Sequence, residues 1–161
     1  MSRLPEGGPV AYVEMSLSPA DVSDDLLPPL RVFGSTPYLD AWLRAVEHAE
    51  EPCLLLDADG MIVGVSQACV ALIGALSPDD LLGRGLLDDL LDLVDFTAAP
   101  GRLLPPQMER IPPLLAIASG ALARGLLRVR TGDTVRTFDA VATPVRGGGQ
   151  LVGSLTFFHV V

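Results

Sequence analysis

The chain has 161 residues, enough for one domain with an appendage and for a core that needs neither disulfide nor metal. Nearly half of it is apolar (49%) at a mean hydropathy of +0.42, which excludes wholesale disorder. Eleven basic against twenty acidic residues leave a net charge of −9, which argues against nucleic acid and anionic membranes as partners, because both select basic patches. Aromatic residues are only 5%, so the core must be built mostly from Leu, Val and Ala. All the basic residues are Arg, and Lys and Asn are absent, which removes any Schiff-base or phosphate-loop lysine. We read that double absence as the codon bias of a GC-rich, bacterial genome. Cys53, Cys69, His48 and His159 show neither C-x-x-C nor H-x-x-x-H spacing, so no disulfide framework or metal site is expected.

In chain order, residues 1–33 carry five prolines and only short apolar runs, and are expected to form a flexible arm. Residues 34–51 read as a helix: Ser35 or Thr36 caps it, Pro37 suits its first turn, and Leu39, Trp42, Leu43 and Val46 recur at helical spacing. The period then changes. Cys53–Asp57 and Met61–Val65 are short apolar runs joined by Ala58-Asp59-Gly60, a hairpin signal. Ser66 caps a helix over Gln67–Ile73 that Gly74 ends. Ser77-Pro78-Asp79-Asp80 starts a second helix, and Leu86–Val94 reads as a third. After a Pro/Gly loop over Phe96–Pro106, Gln107–Arg124 is expected to be helical, broken or restarted at Pro112-Pro113. Leu126–Arg130, Val135–Val145 and Leu151–Val161 are strands separated by Thr131-Gly132-Asp133 and Gly147-Gly148-Gly149. The order predicts an α+β fold: one five-stranded antiparallel sheet with short helices on one face.

Gly60–Pro78 carries no charge, yet its three glycines, Ser66, Gln67 and flanking Asp59 and Asp79 favour a buried strand and helix over a membrane span. MSRLPEGGPVAYVEM lacks the apolar run of a signal peptide. A cytoplasmic location is expected.

These residues resemble the PAS sensor domain family over Glu51–Val161. The resemblance rests on Leu55-Leu56-Asp57-Ala58-Asp59-Gly60-Met61-Ile62-Val63 as an opening hairpin and Ser66-Gln67-Ala68 running to Leu72-Ile73-Gly74. It continues in Ser77-Pro78-Asp79-Asp80-Leu81-Leu82-Gly83-Arg84, Ala142-Thr143-Pro144-Val145 and Leu151-Val152-Gly153-Ser154-Leu155. The family often has Asn where Ser66 stands, and its Asp-x-Thr ending is replaced by His159-Val160-Val161. The resemblance implies a five-stranded sheet wrapped by short helices, at residues 52–161, with sensing and signalling as the function.

The aspartate pairs Asp57/Asp59, Asp79/Asp80, Asp88/Asp89 and Asp92/Asp95 fall in turns, helix starts or solvated faces, so they are read as structural. His159 has no nucleophile or orienting acid beside it in the sequence. In the family's flavin branch the reactive cysteine lies later than Cys69, and its haem branch uses a histidine that Gln107–Arg124 lacks; neither cofactor is expected. The ligand-facing set implied is Leu55, Leu114, Ile117, Phe138, Ala140, Ala142, Leu155 and Phe157. Alternation along the last strand places Leu151, Gly153, Leu155 and Phe157 on that face. It leaves Val152, Phe158 and Val160 outside, where the helix of Leu39, Trp42, Leu43 and Val46 is expected to cover them and to support a homodimer. The reading is a non-catalytic sensory or regulatory domain that works through protein–protein contact, with a small apolar ligand as an option. The alternatives are a small α+β cone with isomerase or hydrolase chemistry, and an interaction subunit with a filled core.

Overall fold

The computed structural model describes residues 37–88 and 90–161; the expected arm over residues 1–33 lies outside them. The first described element, α1 (Pro37–Glu47), is shorter than the helix expected over 34–51: residues 48–51 are turn and bend before Pro52, and the expected cap at Ser35 or Thr36 lies outside the described residues. A hairpin follows, β1 (Cys53–Asp57) and β2 (Ile62–Val65), and its turn is held by Asp57: one carboxylate oxygen accepts the N–H groups of Asp59 and Met61, each at 2.9 Å. Gly60 sits at φ +80°, as an Asp-Gly turn requires.

Ser66 then caps α2 (Gln67–Ile73). Its buried hydroxyl accepts the N–H of Cys69 (3.2 Å) and of Cys53 (3.0 Å) and donates to the carbonyl of Glu51 (2.8 Å), which ties the helix start to the strand before it. Gly74 ends α2 in the left-handed region. At Ser77 the expected helix shrinks to one 3-10 turn, Pro78–Asp80, in which the Asp80 carboxylate accepts the Ser77 N–H and hydroxyl.

Two expectations fail downstream. Leu86–Val94 is not helical: turns lead into a short strand, β3 (Asp92–Val94). Its Leu/Asp spacing imitates a helix, but the Asp88 carboxylate takes the N–H of Gly85 (2.8 Å) and the N–H of Leu86 goes to the Gly60 carbonyl (3.1 Å). A segment this short cannot outweigh such bonds by helix propensity. The expected helix over Gln107–Arg124 divides at its prolines into α3 (Pro105–Met108) and α4 (Pro112–Ser119), and Gly120 ends the latter at φ +63°. Ala123 and Arg124 therefore belong to a strand, β4 (Ala123–Thr131), which leads to β5 (Thr134–Gly147) and β6 (Gln150–Val160).

All pairings are antiparallel and the strand order is β2-β1-β6-β5-β4-β3, so the sheet has six strands, one more than expected. Both faces of its centre are buried. On the inner face Leu54, Leu56, Leu127, Val129, Phe138, Ala140 and Phe158 pack with Cys69, Val70 and Ile111 from the helical side. On the outer face Cys53, Leu55, Val145, Val152 and Leu155 pack with Leu39 and Val46 of α1.

The face assignment of β6 is thereby corrected. Ala140 stands opposite Phe158, not Phe157, because Arg146 pairs with Leu151 while Val145 pairs with Gly153. Val152 is the extra, bulged residue, and one extra residue reverses the face of every side chain beyond it.

Candidate functional site

The inner sheet face is the place where a ligand-facing site could form. Leu54, Leu127, Val129, Phe138 and Phe158 form its floor, and Leu72 and Ile73 of α2 with Leu91 close over it. They enclose a cavity of about 20 Å³ with an entirely apolar wall, room for one water-sized sphere.

Of the residues expected there, Phe138 lines the cavity, and Ala140, Leu114 and Ile117 pack in the same layer. Ala142 lies beneath α4 with Ala116 and Ala123. Leu55, Leu155 and Phe157 lie on the opposite face, against α1. Leu72, Ile73, Leu91, Leu127, Val129, Leu54 and Phe158 were not among the expected residues. The arginines of β4 carried a usable signal for two of them: Arg124, Arg128 and Arg130 alternate to the outside, which turns Leu127 and Val129 inward.

Two hydroxyls punctuate this face. Ser154 donates to the carbonyl of Pro113 at 2.8 Å and so fastens β6 to α4. The Thr156 hydroxyl is buried and has no hydrogen-bond partner among the described residues.

The outer face is covered by α1. Leu39 and Val46 are fully buried and Leu43 is half-buried. The helix comes close because glycines face it: a Cβ at Gly64 would stand 3.0 Å from Leu43 Cδ2, and one at Gly147 would run into the Tyr38 ring. Leu39, Leu43, Val46 and Val152 thus share one cluster. Phe158 is instead in the interior, and Val160 (66% exposed) and Trp42 (40%) face outward.

The polar residues are engaged locally. Thr97 gives its N–H (3.0 Å) and hydroxyl (2.5 Å) to Asp95, and these bonds hold the Asp95 carboxyl below the usual carboxylate range. Asp139 is held low in the same way by Arg124, whose Nη2 lies 2.6 Å from it. Asp92 pairs with Arg130 at 3.3 Å. Burial, with Cys53 adding a smaller effect, pushes the Cys69 thiol up to about 12, so it is no thiolate at neutral pH. His159 is exposed on the outer face opposite Asp139. Among the described residues no group of three His, Cys, Asp or Glu side chains could hold a metal ion, and no helix is long and apolar enough to cross a membrane.

No protein-family model and no curated protein sequence matches the chain. Solved structures do. The PAS domain of a protein from Colwellia psychrerythraea superposes with a TM-score of 0.54 at 18% identity, over 76% of this chain and 96% of that one. The PAS domain of BvgS from Bordetella pertussis gives 0.52 at 13% identity, over 76% and 84%. VqmA of Vibrio cholerae, described as a dimer with a target DNA among LuxR-type receptors, gives 0.56 at 19% identity, over 75% of this chain and 50% of that one. The chain has a PAS-like fold.

Proposed function

We propose that this chain is a sensory or regulatory PAS-type domain that works through protein–protein contact, without catalysis of its own, and that its working form is a homodimer. The observation that supports this most is the inner face. Its wall is apolar, the Thr156 hydroxyl is the one buried side-chain polar atom without a partner among the described residues, and Asp57, Asp88, Asp95, His48 and His159 lie elsewhere, in turns and on the surface. Acyl transfer, hydrolysis and isomerisation all need converging acid, base or oxyanion groups, which speaks against the cone-enzyme alternative.

The interior takes at most a small apolar molecule, and the cavity of about 20 Å³ brings the filled-core alternative close. The reading includes neither flavin nor haem: an apolar wall suits no polar flavin edge, and neither His48 nor His159 lies on that face. A net charge of −9 suits a protein surface or basic peptide better than DNA. The visible absorption spectrum of the purified protein tests the cofactor part. A colourless protein is expected; a flavin or Soret band would overturn the reading.

A further inference from the structure

We propose that the groove at the free edge of β2 receives an extended segment of another protein, added to the sheet as a short strand, with basic side chains turned to its two acidic walls. The proposal rests on the reading above, that the domain works through protein contact, and says where that contact is made.

The groove has a volume of about 250 Å³, and its floor is a strand edge lined by Val63, Gly64 and Val65 of β2. The hydrogen-bond directions show that this edge is uncovered. The N–H of Ser66 goes to the Cys53 carbonyl (3.0 Å), so Ser66 faces β1, and Val65, one residue back, turns its N–H and C=O away from β1. Val63 is the extra residue where the register with β1 shifts, so it too stands outside the ladder. Among the described residues no backbone group pairs with Val63 or Val65 on the groove side.

The chain itself shows what such an edge accepts. At the mouth of the groove Ile62 donates to the Arg84 carbonyl and accepts from the Gly83 N–H, each at 2.8 Å, as in the first rung of an added strand. The ladder goes no further, because the N–H of Leu82 turns to the Pro78 carbonyl (3.0 Å) and the segment bends off. The groove is the space that the next rungs would fill.

The walls set the chemistry of the occupant. Glu47, at the end of α1, stands on one side, and Asp79 with Leu82 on the other. Both acidic residues are exposed, and among the described residues neither carboxylate has an ion pair or hydrogen bond. Successive side chains of an extended segment point to opposite faces, so two adjacent basic residues reach the two walls, one each. A second copy of this chain brings the same net charge of −9 and is the poorer occupant. Backbone pairing along the edge supplies affinity, and the walls select for charge.

Fluorescence anisotropy tests the proposal on the full chain, with circular dichroism to check folding and the labelled peptide Thr-Val-Arg-Arg-Val-Thr as probe. Saturable binding is expected, with a dissociation constant of about 100 μM. Glu47→Arg and Asp79→Arg should each weaken it about tenfold. Asp133→Arg, an equal change of charge in the exposed β4–β5 turn, should leave it unchanged. N-methylation of alternate peptide residues should abolish binding in one phase and spare it in the other, since only every second N–H faces β2. No saturable binding up to about 1 mM would overturn the proposal. So would a loss from Asp133→Arg as great as from the wall variants, which marks bulk charge, or equal effects of the two N-methylated peptides, which mark contact without strand pairing. A peptide that fails to bind a colourless, dimeric protein overturns this proposal alone, whereas a flavin or Soret band overturns the reading on which it rests.

Discussion

Gly60 and Thr156 show how single positions carry the account. At Gly60 a side chain meets two penalties: the φ of +80°, and Leu114 Cδ2 at 3.2 Å from the Cβ position. Gly60→Val is expected to cost about 1–3 kcal/mol in denaturant unfolding, and an unchanged midpoint would show that the turn is not built this way. Thr156 is the reverse case. Its hydroxyl is buried without a partner among the described residues, so replacing it with an isosteric methyl removes a desolvation penalty and none of the bonds seen. Thr156→Val should be neutral or stabilising; a loss of more than about 1 kcal/mol would mean that the hydroxyl has a partner in solution.

At the scale of elements, α1 is the cover of the outer sheet face. Leu39, Val46 and the half-buried Leu43 together stabilise its seat by on the order of 5 kcal/mol before entropy costs. Val46→Asp puts a charge between α1 and the sheet and should undock the helix while the strands stay paired. Trp42, the only tryptophan and a residue of α1, reports it. Its emission should shift to the red and become more accessible to quencher, with the sheet signal in circular dichroism retained. Unchanged emission together with unchanged melting would mean that the packing of α1 is wrongly described. Most elements were legible in the sequence because local chemistry specifies them: Asp57-Ala58-Asp59-Gly60 makes its own turn, Ser66 its own cap, Gly74 its own helix end, whereas the same signal at Gly120 went unread and the helix was carried on to Arg124. Two features were not. β3 is three residues whose strand character comes from pairing with Arg128–Arg130, while Leu and Asp at helical spacing point the other way. The phase of β6 hangs on Val152, a bulge that no residue type announces. With both faces of the sheet covered, polar alternation could not correct the count, and so the ligand-facing and helix-covered sets exchanged Phe157 and Phe158.

For the whole molecule, the structure shows a PAS-like fold with an apolar interior; the role proposed for it, assembly with protein rather than transformation of a substrate, draws on that interior and on the net charge of −9. The proposal leans most on the interior, a sheet face with apolar walls around a cavity of about 20 Å³. Native mass spectrometry of the purified full chain reports subunit number and retained ligand together, and it tests the central claim most directly. The account predicts twice the 16.9 kDa chain mass, with no added mass or only that of a small apolar molecule. A monomer, or a chain that carries a flavin, haem or other large polar cofactor, would contradict it.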